Sequence, residues 1–183
     1  MSRSPLEITR VLAIDPASKG IGFAVLEGPG RLVAWGVKHA NANEKCLQHA
    51  SALSCQYQPD VLVVERTDVR DCRRRPRAIE LIGDVLALAR ERELRARRVS
   101  RRVMLRSFGR SGFATKRQVA VALSVRFPEL NRYLPPERKP WMSEDERMSI
   151  FDALAFGITF YESLRRQRQS LSLLLPETSL RHA

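Results

Sequence analysis

The chain has 183 residues, 44% of them apolar, enough for one full hydrophobic core and too few for two. No stretch approaches the ~18 apolar residues of a membrane span, and the start Met1-Ser2-Arg3-Ser4-Pro5 lacks the apolar centre of a signal peptide, so a cytoplasmic domain with no membrane partner is expected. The 32 Lys and Arg against 20 Asp and Glu leave a formal charge of +12, a field that attracts polyanions and puts nucleic acid first among partners.

Val11-Leu12-Ala13-Ile14-Asp15 is an uninterrupted apolar run that ends in a carboxylate. Such a run predicts a strand buried on both faces with Asp15 at its carboxyl end, where open α/β sheets keep their chemistry. Asp-Pro and Gly are also ordinary turn formers, so Asp15 by itself reads as readily as a turn cap. Residues 20–27 and 31–38 read as two further strands joined by Gly28-Pro29-Gly30. Cys46, Leu47, Ala50, Leu53 and Ser54 keep helical spacing over residues 43–57, and Pro59 stops that helix.

Residues 60–65 form the fourth expected strand, Val61-Leu62-Val63-Val64-Glu65 again ending in a carboxylate. A polar, basic stretch over 67–76 leads to a helix with Ile79, Ile82, Val85, Leu86 and Ala89 on one stripe. Residues 98–105 are the candidate fifth strand, weakened by their arginines, and 107–112 read as a flexible loop. Thr115 and Gln118 have capping-box spacing at the head of a helix that runs to about Phe127. After a Pro-rich connection, Ser143 and Glu146 repeat that spacing before a long helix reaching about Arg166. Residues 1–166 are thus read as a single domain and 167–183 as a C-terminal tail, with an apolar patch at 171–175.

The cationic charge is concentrated, with 16 Lys and Arg against five acids between residues 70 and 117. A block this basic is the footprint expected for phosphate contacts, and it lacks the broad apolar face that would favour a lipid surface. Cys46, Cys55 and Cys72 have no paired short spacing, which argues against disulfides and against a thiolate zinc site. Cys46 and His49 read as helix core and surface, and His39 and His182 have no evident partners.

Two strand-end carboxylates and a third within Met148-Ser149-Ile150-Phe151-Asp152-Ala153 are the donor types a Mg²⁺ site requires, since Mg²⁺ takes hard oxygen ligands. Two such ions roughly 4 Å apart activate water and stabilise the leaving oxygen of a phosphodiester. Glu65 alone is equally explained as the partner of an arginine. Asp152 borders the core stripe of Met148, Phe151, Ala155 and Ile158, so its burial has to be compensated. Ser149 and Asp145 are expected on its side of the helix, and Glu146 is better explained as the capping partner of Ser143.

Ile-Asp-Pro-Ala-Ser-Lys-Gly-Ile-Gly-Phe-Ala from Ile14, Pro-Asp-Val-Leu-Val-Val-Glu from Pro59, Gly-Phe-Ala-Thr-Lys-Arg-Gln-Val from Gly112 and Phe-Asp-Ala-Leu-Ala from Phe151 occur in that order. Together they resemble the RuvC family of Holliday junction resolvases, within the ribonuclease H-like superfamily, over about residues 10–161. The resemblance implies an α/β fold, a ribonuclease H-like mixed five-stranded sheet flanked by α-helices. It also implies two Mg²⁺ ions, with Mn²⁺ able to substitute, and a homodimer that cuts branched or four-way DNA by metal-dependent phosphodiester hydrolysis.

Carried over by position, the metal-binding catalytic carboxylates fall on Asp15, Glu65 and Asp152, and the catalytic basic residue on Lys116. Lys116 would also stand in the first turn of a helix, where free backbone donors favour a phosphate. Lys19, Arg70, Arg73, Arg74, Arg75, Arg77, Arg106, Arg110 and Arg117 are the further candidates for nucleic-acid contact. Two departures stand out. The fourth ligand that RuvC enzymes carry one helical turn before the last Asp is Ser149 here, so either a water on Ser149, Asp145 or Glu146 substitutes or metal affinity is reduced. The aromatic residue that follows the second carboxylate is missing from Glu65-Arg66-Thr67-Asp68-Val69. These departures keep two alternatives open: another ribonuclease H-like nuclease acting on RNA–DNA hybrid or on flap or branched DNA, and a catalytically weakened nucleic-acid-binding module.

Overall fold

The structure is a computed structural model that describes residues 9–70, 72–109, 112, 114–137, 139, 141 and 143–174. Strands β1 (Arg10–Ala17), β2 (Gly20–Glu27), β3 (Leu32–His39), β4 (Val61–Glu65) and β5 (Arg95–Val99) form one sheet in the order β3-β2-β1-β4-β5. β1, β2 and β3 pair antiparallel as a meander, whereas β4 joins β1 and β5 joins β4 in parallel. Helices α1 (Asn43–Tyr57), α2 (Pro76–Glu91), α3 (Arg101–Phe108), α4 (Lys116–Arg126) and α5 (Met148–Leu174) flank it, with a 3-10 turn over Pro128–Tyr133. The mixed five-stranded sheet flanked by helices is therefore what the chain builds.

The two-residue period of a strand sorts the central strands onto two cores. Val11, Ala13, Val61 and Val63 pack with Met104 of α3, Leu123 of α4 and Phe151 and Phe156 of α5. Leu12, Ile14, Leu62 and Val64 pack on the other face with Cys46, Ala50 and Leu53 of α1 and Ile82 and Val85 of α2. A strand covered on both faces has no polar side to show, which accounts for the unbroken apolar runs. On α2 the buried stripe includes Leu81, whereas Ile79 stands exposed.

Residues 149–161 of α5 are all buried, so this helix lies in the core rather than on it. Gly157 makes room for that: a Cβ there would come within 2.6 Å of Leu26 Cδ1 on β2. The Tyr161 hydroxyl pins the helix to the sheet, donating to the Thr9 carbonyl at 2.6 Å and accepting from the Gly28 amide at 3.1 Å.

Three elements differ from the sequence reading. The candidate strand over 98–105 is divided between β5, which ends at Val99, and α3, which begins at Arg101. The last helix starts at Met148 and not after Ser143, because the Asp145 carboxylate accepts from the Arg147 amide at 2.9 Å and pairs with its guanidinium at 2.6 Å, closing a local turn. It also continues to Leu174, so the residues just beyond 166 are helical, and residues 175–183 lie outside the described residues. Among the described residues no helix is long and apolar enough to cross a membrane.

Candidate metal centre and nucleic-acid cleft

The β1–β4 ladder ends at Ile14 opposite Val64, so Asp15 and Glu65 are the next residue on each strand. Asp15 is in phase with Val11 and Ala13, and Glu65 with Val61 and Val63, so both carboxylates face the α5 side of the sheet. Asp15 is not the last residue of its strand, which runs on to Ala17, but it is the first beyond the parallel pairing. Gly22 lies across from it on β2, and with no side chain there the first turn of α5 comes close at Ser149. Asp152, three residues on, thereby reaches the same edge.

Asp15, Glu65 and Asp152 are each only 2–3% exposed. Three buried charges of one sign are tolerated only with compensation, and two guanidinium groups provide it. Arg74, on the connection between β4 and α2, pairs with Asp15 through Nη2, with Glu65 Oε2 through Nε at 2.5 Å, and donates to the Pro16 carbonyl at 3.0 Å. Arg101 donates to Glu65 Oε1 at 2.9 Å, to Glu65 Oε2 at 3.0 Å and to Asp152 Oδ2 at 3.1 Å, and lies 3.4 Å from Asp15 Oδ1. Lys116 Nζ stands 3.1 Å from Asp152 Oδ2 and 2.7 Å from Glu144 Oε1. The sequence alternative that Glu65 pairs with an arginine thus holds in this structure together with the clustering of the three acids.

Burial pushes the Asp15 carboxyl up to about 7, against the pull of Arg74, with the charge of Asp152 adding to the rise. Burial opposes ionisation of Asp152 too, but Arg101 and Lys116 outweigh it and hold that carboxyl below the usual range. Burial works against the Lys116 ammonium, yet Asp152 and Glu144 keep it protonated beyond the ordinary lysine range.

Lys116 is the first residue of α4, whose cap is the box foreseen from the sequence: Thr115 accepts from the Gln118 amide at 3.2 Å, and the Gln118 side chain accepts from the Thr115 amide at 2.8 Å. Of the substitutes for a fourth ligand, Ser149 is buried and its hydroxyl donates to the Glu146 carbonyl at 2.5 Å. Asp145 is engaged by Arg147 and is not on the helix, and Glu146 Oε2 lies 2.9 Å from His39 Nδ1. His39 therefore has a partner, which the sequence did not reveal. All three residues border the cleft.

That cleft, of about 950 Å³, contains the three carboxylates and is walled by Arg73, Arg74, Arg75, Arg101, Arg102 and Lys116. Of the other basic candidates, Lys19, Arg70 and Arg106 are exposed outside its lining. Arg77 is tied to Asn43 at 3.0 Å and to the Ser18 carbonyl at 3.3 Å, and Arg117 donates to the Pro135 carbonyl. Arg110 lies outside the described residues. Sequence reasoning missed Arg101 and Glu144. Arg101 was findable: β5 pairs Val99 with Glu65, so a cation two residues later emerges at the same edge.

The donor set fits a hard divalent cation, since it consists of carboxylate oxygens alone. In the side-chain arrangement seen here, no three acidic, His or Cys groups among the described residues surround one cation-sized point. Guanidinium groups of Arg74 and Arg101 pair with oxygens of all three carboxylates in this arrangement.

Comparison with known proteins gives the fold. Thermus thermophilus RuvC in complex with Holliday junction substrate superposes with a TM-score of 0.62 at 20% identity, covering 87% of this chain and 96% of that one. The fold is that of RuvC. A second structure of the Thermus RuvC agrees, with a TM-score of 0.62, 20% identity and coverage of 87% and 97%. The fowlpox virus Holliday junction resolvase shares the RuvC-like fold at a TM-score of 0.54 and 12% identity, covering 85% of this chain and 99% of its own. No protein-family model matches the sequence, and no curated protein matches it.

Proposed function

We propose that the protein is a metal-dependent endonuclease that hydrolyses DNA phosphodiesters, with four-way junctions as its substrate. The observation that carries this is the convergence of Asp15, Glu65 and Asp152 at one edge of a RuvC-like sheet, at the floor of a cleft walled by arginines. Asp15, Glu65 and Asp152 would hold two Mg²⁺, with Mn²⁺ as substitute. Such ions supply an activated water and charge neutralisation at the leaving oxygen. Arg73, Arg75 and Lys116 seat the backbone phosphates, with Lys116 also fixing the orientation of Asp152. A four-way junction is cut symmetrically by two copies, so a homodimer belongs to this reading. Three free cysteines, one exposed, are consistent with a reducing, cytoplasmic setting.

The test is cleavage of a synthetic four-way junction, a linear duplex, a flap and an RNA–DNA hybrid in Mg²⁺. Preferential cutting of the junction in symmetric pairs is expected, and preferential cutting of the hybrid would replace the junction reading with a different nuclease. A second reading is favoured by one observation: the carboxylates are already neutralised by Arg74 and Arg101, as they would be in a binding module without catalysis. Junction binding with no cleavage in either Mg²⁺ or Mn²⁺ would establish that alternative.

A further inference from the structure

Four of the six carboxylate oxygens at the centre, Asp15 Oδ1, both oxygens of Glu65 and Asp152 Oδ2, are engaged by Arg74 or Arg101. Lys116 holds Asp152 as well, and is itself shared with Glu144. A cation approaching this centre meets a hydrogen-bonded network of paired groups and not an open set of ligands. It can enter only if a guanidinium leaves, and the guanidinium leaves cheaply only if another anion receives it.

The two arginines are not equally placed to leave. Arg101 is the first residue of a helix, contacts all three carboxylates, and lies 5.3 Å from the centre of the Phe156 ring. Arg74 sits on the connection between two elements, and among the described residues its hydrogen-bond partners are Asp15, Glu65 and the Pro16 carbonyl. Its side chain is 18% exposed and that of Arg101 23%, against 3–4% for the carboxylates, so both guanidiniums lie on the cleft side and what singles out Arg74 is its place on a connection and its smaller set of partners. The neighbouring Arg73 and Arg75 line the same cleft, where backbone phosphates would pass. A phosphate offers a guanidinium the same bidentate geometry as a carboxylate.

We infer that Arg74 is an exchangeable internal counter-cation: it occupies the metal site of the free protein and transfers to a backbone phosphate when nucleic acid is seated, opening Asp15 and Glu65 to a divalent ion. This inference rests on the nuclease reading and adds a regulation to it, for metal loading becomes conditional on substrate. Linkage requires the converse as well, that a divalent ion tightens nucleic-acid binding by the same factor. A solution of free protein would thus hold little metal at concentrations that saturate the complex.

The test is a Mn²⁺ titration followed by the electron paramagnetic resonance of the free aqua ion, on the full chain, with and without a linear DNA duplex. Wild-type protein alone should bind Mn²⁺ at least tenfold more weakly than Arg74→Gln, and duplex should strengthen binding by tenfold or more in wild type and by less than threefold in the variant. Arg74→Lys, which keeps the charge but lacks the planar fork of a guanidinium and its reach to the Pro16 carbonyl, should fall between them, and it serves if the glutamine variant is poorly folded by circular dichroism. Equal Mn²⁺ affinity in wild type and both variants would overturn the exchange while leaving a metal-dependent nuclease intact. No Mn²⁺ uptake by any form, with or without DNA, would overturn both readings together.

Discussion

Gly22 lies directly against Ser149: a methyl group at Gly22 would overlap the Ser149 backbone carbon and hydroxyl. Because Gly22 is paired with Asp15 across the β1–β2 ladder, the space it leaves sets how closely Asp152 approaches Asp15. Gly22→Ala should force the first turn of α5 away from the sheet. Overpacking of this kind costs about 1–3 kcal/mol, or roughly 2–12 °C in Tm for a chain this size. Mn²⁺ binding should weaken along with stability. A variant that melts normally and binds Mn²⁺ as wild type does would show that the helix position is not set there.

Glu65 and Asp15 should separate by their stability effects in chelator. Glu65 is shared by both guanidiniums, so Glu65→Gln takes one charged partner from each of two largely buried cations and should cost about 3 kcal/mol or more. Asp15→Asn removes a group whose burial already disfavours its charge, and should cost much less. In Mg²⁺ both should lose cleavage by roughly three orders of magnitude, the scale of several kcal/mol of charge stabilisation. Junction binding by Asp15→Asn should stay near wild type in a gel-shift titration. Retained cleavage by that variant would remove Asp15 from the centre.

What could be read from the sequence was whatever a buried strand or a helix cap writes locally. Val11–Ile14 and Val61–Val64 are apolar on both faces because helices cover both faces of the sheet, so their position and the placing of Asp15 and Glu65 followed directly. Thr115 and Gln118 form the cap that their spacing describes. β5 was harder: it is an edge strand with Arg95, Arg97 and Arg98 exposed, a pattern that protects an edge and hides the strand. Misplacing its end concealed Arg101, and with it the network that neutralises the centre. The second capping-box spacing misled because Asp145 turns back onto Arg147 and the helix starts at Met148. Local spacing cannot rank two partners for one carboxylate.

Arg73 and Arg75 are exposed at the wall of the cleft, whereas Arg77 is held by Asn43 and the Ser18 carbonyl. Removing a phosphate contact lowers the slope of log K against log salt by about 0.9 per charge on duplex DNA. Arg73→Ala with Arg75→Ala should therefore flatten that slope by roughly two units without changing which DNA is preferred. Arg77→Ala should leave the slope near wild type and lower Tm instead. The opposite pairing of effects, read from fluorescence anisotropy at several salt concentrations, would exchange the roles of these residues.

Asp15 also gives the free protein a pH dependence of defined sign. Its carboxyl is raised from 3.8 to about 7 by burial, so between about pH 4 and pH 7 the folded state keeps a proton that the unfolded state has released. By linkage this contribution to stability is present at low pH and lost as pH rises through that window. Asp152 behaves oppositely: with its carboxyl held low by Arg101 and Lys116, its contribution is present above the ordinary carboxylate range and is lost on acidification. The two can be separated with Asp15→Asn, which lacks only the first. In chelator, the melting temperature of that variant minus that of wild type should grow from pH 5 to pH 8, because only wild type must then bury a new negative charge. A difference that stays constant across this range would mean that Arg74 and Arg101 keep Asp15 ionised throughout.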